Sequence, residues 1–484
     1  MKQLFIGIDL GSSGVRVEVY DIEGNLLSVG RESISGQSVD EWLKALKIAV
    51  PTIVKDCDNC EKHVSITSTS GTLIGVDDYG RVLVGPIMYY ERDDEIFEKI
   101  KDLEAMKKLS DRSVKLDPTS PIVKIYRLNV SKPELYNRVK WYISPTTYLL
   151  YRLFYREGEL WSDVCMDYTN SLKFGLDITS FPPTWVEEPY IELGLDISRL
   201  PKPVPVGDKI GAASSRYAEE LGLKNAMLYQ GLTDGNASAL AGGAVDVGDT
   251  NIYSGSTTVP KIVVDRVVLH PALYYHIHPI KGYLAGSATG FTGAFLSWFV
   301  EKVLGTDLGK VSEYLDKVEA GTEYLFFPYG DRSPFYDSSM QPALVGLRMI
   351  DEPREVVLGR VIRSIMLGIT LFENYYLDLF EELFNLKISC VHLTGGGTRS
   401  KLWNKIRASV YERKVAIHGD LVGPGIIVPF LIRNKFYDSI DEVKQKFIKP
   451  IEIVEAVANM VKVYRQYKDP FMKRWAKLLE LYKA

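Results

Sequence analysis

One short motif occurs twice in this chain, about half its length apart. The first copy runs Leu4-Phe-Ile-Gly-Ile-Asp9-Leu-Gly11-Ser12-Ser13-Gly14-Val-Arg16-Val-Glu-Val-Tyr-Asp21, and the second runs Asn251-Ile-Tyr-Ser254-Gly255-Ser256-Thr257-Thr258-Val-Pro-Lys-Ile-Val-Val-Asp265. Laying Gly11-Ser12-Ser13 on Gly255-Ser256-Thr257 brings Asp21 onto Asp265. Each copy is a β-branched run, a tight turn of glycine and hydroxyl residues, and a second β-branched run, which is the signature of a hairpin with a small-residue tip. Such a tip suits a phosphate, because backbone N–H groups converge there without side-chain bulk and hydroxyls add neutral donors. Two such tips facing one another would clamp one nucleotide. Asp9 lies inside the first apolar strand, where a carboxylate is costly unless it binds something, and magnesium beside a nucleotide is a natural partner.

With 484 residues and 46% hydrophobic content, the chain has material for two buried cores. Its formal charge of -4 offers no electrostatic footprint for nucleic acid or an acidic membrane. No apolar run approaches the roughly 20 residues of a membrane span, and no signal-peptide pattern opens the chain, so a cytoplasmic location is expected. Cys57-Asp-Asn-Cys60 has redox-like or zinc-like spacing without a second ligand pair, and is read as two loop thiols. His276-Ile-His278 has strand spacing that would put both rings on one face, as a satisfied pair rather than a metal site.

Val- and Ile-rich strands alternate with amphipathic stretches at 39–54 and 93–109, an α/β pattern. The pattern restarts after Gly248, with long helical segments expected at 352–386 and 441–460, so two α/β domains are expected at 1–246 and 247–484. Near the junction, Gly231-Leu-Thr-Asp234-Gly235 opens a helix of very small residues. Asp234 suits an N-cap, and the same position aims a carboxylate into a cleft between domains. Downstream, Leu393-Thr-Gly395-Gly396-Gly397-Thr398 is a strand, a triple-glycine turn and a helix start, an arrangement for laying a base or ribose against backbone. It has neither the spacing of a dinucleotide fold nor the ending of a P-loop.

The order Asp9-Leu-Gly-Ser-Ser, Gly231-Leu-Thr-Asp234, Ser254-Gly-Ser-Thr, Phe327-Pro-Tyr-Gly330-Asp-Arg332-Ser-Pro334 and Gly395-Gly-Gly resembles the FGGY carbohydrate kinases across essentially the whole chain. That resemblance implies an α/β fold of two ribonuclease H-like domains, as in actin and hexokinase, with an interdomain cleft. It implies Asp234 as general base, Gly11, Ser12, Ser13, Arg16, Gly255, Ser256 and Thr257 as phosphate-binding, and Gly395, Gly396, Gly397, Trp403 and Asn404 as neighbours of adenosine. Asp9 is expected to serve Mg2+ or touch the sugar. ATP and magnesium are the implied donor and cofactor, and a small-molecule sugar the acceptor. A homodimer is a possible assembly.

The sugar end departs from the commonest family pattern. Ser68-Thr69-Ser70-Gly71-Thr72 stands where many members carry a Gly-Gln-Met-His-like stretch, and Met88-Tyr89-Tyr90-Glu91-Arg92-Asp93 where they carry Trp-x-Asp-x-Arg. Arg127 replaces a tryptophan in the Pro121-to-Arg127 helix motif. These segments resemble the D-ribulose and xylulose kinase-like branch, implying phosphorylation of a pentulose at its terminal hydroxyl, with Ser70, Gly71, Tyr89, Glu91, Asp9 and Asp234 around it. Glycerol and deoxyhexulose are the alternative substrates. A non-catalytic actin-like ATPase or nucleotide sensor is the alternative from another class.

Overall fold

A computed structural model describes residues 2–54, 60–113, 115–347 and 351–483. The chain forms two compact units, the first made of Met1–Ala241, His276–Lys281 and Leu421–Lys449, the second of Gly242–Tyr275, Gly282–Asp420 and Pro450–Ala484. The first long segment thus ends close to the expected boundary at 246. A single cut does not describe the rest, because residues 421–449 pack with the first unit.

In the first unit the main sheet is made of β1 (Gln3–Leu10), β2 (Gly14–Tyr20), β3 (Leu26–Ser33), β4 (Glu61–Ser68), β5 (Lys209–Ala212), β6 (Met227–Tyr229) and β7 (Leu232–Thr233). Their order is β5-β6-β4-β1-β2-β3, with β7 also on β4. The β1, β2 and β3 strands form an antiparallel meander, while β4 runs parallel to β1. Phe5, Ile6 and Ile8 of β1 are buried, as a central strand covered on both faces requires. Helix Val39–Ala49 starts at Ser38, whose hydroxyl accepts the Glu41 N–H, and buries Val39, Trp42, Ala45, Leu46 and Ala49 against β2 and β3.

The second unit repeats this plan with β8 (Thr250–Ser254), β9 (Thr258–Val264), β10 (Tyr283–Gly286), β11 (Cys390–Thr394), β12 (Lys414–Ile417) and β13 (Glu452–Val454), which run β10-β9-β8-β11-β12-β13 within its sheet. Again three strands form an antiparallel meander, β8-β9-β10, with β11 parallel to β8, although the strand Tyr274–Ile277 lies between β9 and β10 in the chain. Two copies of one meander-plus-parallel topology are the duplicated ribonuclease H-like α/β fold that the repeated motif implies.

Three expected helices differ in detail. The 39–54 stretch is broken into Val39–Ala49 and Pro51–Val54, and 93–109 into Asp94–Ile100 and Glu104–Arg112. The 441–460 stretch is not one helix: Ile440–Phe447 ends before Pro450, the Ile451 N–H bonds the Ile417 carbonyl, and β13 intervenes before helix Ala458–Lys483. Residues 352–386 hold one helix, Arg354–Phe384, ended by Asn385 in the left-handed region at φ 53°. Cys57 lies outside the described residues. Cys60 is disulfide-bonded, correcting the loop-thiol reading for that residue, whereas Cys165 and Cys390 are free.

Candidate active site

In the first unit Leu10 faces Val15 across the β1–β2 tip, and the Gly11 N–H bonds the Gly14 carbonyl at 2.9 Å. Ser12 and Ser13 are exposed at that tip. The Gln37 amide holds the Ser12 carbonyl and the Ile34 N–H holds that of Ser13, leaving both hydroxyls pointing to solvent-accessible space. Gly14 is glycine because a Cβ there would meet the Glu32 carbonyl at 2.5 Å. A cavity of about 450 Å³ opens at the tip, lined by Asp9, Gly11, Ser13, Arg16, Arg31 and Ser33 among others. Asp9, Gly11, Ser13 and Arg16 therefore meet in one place. Arg31 and Ser33 add to them, and no sequence motif pointed to either.

Asp9 is the electrostatic centre of this cavity. Burial, then the neighbouring Asp234 carboxylate, push its pKa up to about 6, against the opposing pull of the Arg16 guanidinium. Asp234 follows β7 as the first residue of helix Asp234–Ala241 and is exposed. Its Oδ1 accepts the Gly235 N–H at 2.7 Å. The approach to it is fixed from behind. Fully buried Asp167 accepts the Thr169 hydroxyl at 2.6 Å, and the same hydroxyl oxygen accepts the Thr233 N–H at 2.9 Å. Burial raises the Asp167 pKa to about 6. The small residues after Asp234 let helix Gly423–Arg433 come close, since a Cβ on Gly425 would meet the Ala237 carbonyl at 1.9 Å.

The sugar-end segments lie at the ends of β4 and of a three-stranded sheet made by Leu73–Val76, Val82–Ile87 and Trp141–Ile143. The Ser70 hydroxyl is buried with no hydrogen-bond partner among the described residues, as a group awaiting a ligand would be. Gly71 adopts φ +84°, a left-handed conformation that glycine tolerates. Tyr89 is exposed and packs edge-on against Tyr90, and the Glu91 carboxylate closes its own turn by accepting the Met88 N–H at 2.7 Å. Lys124 was legible only as part of a helix motif. It is buried, and its Nζ donates to the carbonyls of Met88 (2.7 Å) and Gly71 (3.4 Å), joining both substrate segments. Burial lowers its pKa to about 8. Arg127, in place of the tryptophan, faces Asp93 at 3.5 Å.

In the second unit Ser254 faces Thr258, so this tip is one residue tighter, and the Gly255 N–H bonds the Thr257 carbonyl at 3.0 Å. Ser256 is exposed, and its carbonyl accepts the Ala294 N–H. The triple glycine lies against this tip: a Cβ on Gly395 would meet the Ser254 carbonyl at 2.6 Å, and one on Gly397 the Ser254 hydroxyl at 2.2 Å. Gly396 alone of the three has open space above it. Trp403 and Asn404 lie just downstream of that loop. Both are buried, Trp403 donating from Nε1 to Thr370 beneath the Arg407 guanidinium and Asn404 donating to the Thr398 carbonyl. They support the glycine loop from below, because helix Lys401–Tyr411 turns its apolar face inward at those positions.

Arg407 is the unforeseen centre of this half. Completely buried, it donates to both oxygens of buried Glu373 at 3.0 Å, to the Ser254 hydroxyl at 2.6 Å and to the Gly397 carbonyl at 3.4 Å. One ion pair thus joins the phosphate tip to the glycine loop. His278 lies beyond its strand, which ends at Ile277, and its Nδ1 accepts backbone N–H groups of Ile280 and Lys281, so the expected two-ring strand face is not formed.

The two glycine-hydroxyl tips of the duplicated fold carry a cavity lined by Asp9, Arg16 and Arg31 in one copy and a glycine loop in the other. The chain belongs to the FGGY family of carbohydrate kinases, phosphotransferases with an alcohol acceptor: the family's N-terminal domain matches residues 4–241 and its C-terminal domain residues 274–426. It is 23% identical to a xylulose kinase of Staphylococcus epidermidis over 96% of this chain and 95% of that one. It is 21% identical to the gluconokinase of Bacillus subtilis over 86% and 84%. The fold matches a ligand-bound xylulose kinase from Lactobacillus acidophilus (TM-score 0.83, 18% identity, 99% of both chains) and the ADP-bound glycerol kinase of Plasmodium falciparum (TM-score 0.83, 18% identity, 99% and 98%). Among the described residues no helix is long and apolar enough to cross a membrane.

Proposed function

We propose that the protein transfers the terminal phosphoryl group of ATP to the terminal hydroxyl of a ketose, with the pentuloses D-ribulose and D-xylulose as the preferred acceptors. The observation that carries this reading is the exposed Asp234 carboxylate, held at backbone level by Thr169 and Asp167 and close enough to Asp9 to raise its pKa. A carboxylate so placed accepts the hydroxyl proton as the oxygen–phosphorus bond forms and ADP departs, a contribution on the order of 10²–10⁴ in rate. The Gly11 tip, its two serine hydroxyls and Arg16 offset charge on the transferring group. The Gly255 tip and the Gly395-to-Gly397 loop take the rest of the nucleotide. The relatives named xylulose kinase and the Ser70 and Tyr89-to-Glu91 segments favour a pentulose.

Asp9 suits a magnesium ion: it is a hard oxygen donor beside a phosphate-type tip, and Mg2+ needs only one or two carboxylates when phosphates and water complete its shell. Bound there, the ion would supply neutralisation of phosphate charge. The test is ADP release with ATP and magnesium against D-ribulose, D-xylulose, L-ribulose, gluconate, glycerol and no acceptor. The expected outcome is a preference for one pentulose by roughly tenfold or more, about 1.4 kcal/mol of discrimination. Equal release with and without every acceptor would return the nucleotide-sensor reading.

A further inference from the structure

Three charged side chains stand in one cross-strand row at the mouth of the cavity in the first unit. Asp9 of β1 is directly opposite Arg16 of β2, and Arg16 is directly opposite Arg31 of β3. Directly opposed residues share a sheet face, so both guanidiniums belong to the face of Asp9, and both line the 450 Å³ cavity. Like charges opposed across strands cost stability. Arg16 has Asp9 on its other side to offset that cost. Arg31 has no carboxylate opposite it: β3 is the edge of the sheet, no side-chain hydrogen bond or ion pair joins Arg31 to any other described residue, and Glu32 next to it, which also lines the cavity, alternates to the opposite face of the strand.

An exposed arginine set against a second arginine, beside the N–H groups and hydroxyls of the Gly11 tip, is half of a two-guanidinium fork for a phosphate group. We propose that Arg31 is a binding residue for the terminal phosphate of the donor triphosphate, completing with Arg16 an anion site that a diphosphate is too short to fill. This rests on the kinase reading for the identity of the donor, but the anion site stands on the geometry of one unit.

The experiment is calorimetric titration of the full chain, wild type and Arg31→Gln, with ATP, ADP and inorganic tripolyphosphate, alongside pentulose-dependent ADP release. Arg31→Gln is expected to weaken ATP and tripolyphosphate by about tenfold while moving ADP less than twofold. Arg31→Lys should recover part of the loss, since the charge remains and the fork does not. Because Arg31 is exposed and unpartnered, the melting temperature should be unchanged, separating a binding role from a structural one. ATP and tripolyphosphate affinities within twofold of wild type would overturn the proposal, as would an equal loss for ADP. Acceptor-dependent release in the wild type with unaltered Arg31→Gln binding would leave the kinase reading standing and remove this one. The reverse pair of results would do the opposite.

Discussion

The two glycine-hydroxyl tips are copies of one hairpin in the same place in the same topology, yet the charges behind them are handled in opposite ways. Behind the first, Asp9, Arg16 and Arg31 line an open cavity, and burial, followed by the Asp234 carboxylate, raises the Asp9 pKa to about 6. Behind the second, Arg407 and Glu373 are wholly buried and neutralise each other, with Tyr411 adding a hydrogen bond to Glu373 and Ser256 exposed at the tip. The first tip keeps its charges around an open cavity, as a site that must answer to moving charge does. The second has satisfied them internally, as a frame for a nucleotide requires.

The largest effect that would break this contrast is on chemistry. Asp234→Asn should lower the turnover number of sugar-dependent ADP release by on the order of 10²–10⁴ with little change in nucleotide affinity. Retention of near wild-type turnover would remove the first half's claim to catalysis. Next, Arg407→Met should destabilise the protein by about 3–5 kcal/mol in denaturant titration, because Glu373 is left buried and unpaired. A change below about 1 kcal/mol would mean that the second half is not rigidly framed.

Lys124→Met has an intermediate, selective effect. Losing the donor to Gly71 and Met88 should raise the sugar KM by roughly tenfold and leave the ATP KM within twofold, whereas a purely structural lysine would move both. The smallest effect has the opposite sign. With the Asp9 pKa raised from 3.8 to about 6, the folded protein holds a proton that the unfolded chain releases, so stability falls as pH rises between those values and the penalty is complete above about 6. Asp9→Asn should therefore stabilise the ligand-free protein at pH 8 by about 1 kcal/mol, less than the full shift implies because the site is partly open to water, and do nothing at pH 3. A loss of stability at pH 8 would show that Asp9 is as well satisfied as Arg407.

Much of this was legible in the residues. Alternating β-branched runs around Gly11 and Gly255 fixed two hairpins, and the small residues after Asp234 announced a close backbone approach, realised as Gly425 against Ala237. The burial of Trp403 and Asn404 was not legible, because a position on a helix says little about which face it turns inward until the packing partner is known. Arg31, Lys124, Thr169 and Arg407 carry no local signature. Lys124, Thr169 and Arg407 each act on a residue far away in sequence, such as Lys124 on Gly71 or Arg407 on Ser254.

By itself the sequence determined the duplication, the hairpin tips and the position of Asp234 at a helix start, because all of these are written in local periodicity and turn residues, while the class of chemistry followed from a motif order that resembles the FGGY carbohydrate kinases. Only the tertiary structure decided that residues 421–449 rejoin the first unit, that Asp9 and Asp234 repel each other, and that one tip is backed by a buried ion pair and the other by an open cavity. Burial and charge are properties of what surrounds a side chain, and those surroundings come from segments hundreds of residues apart.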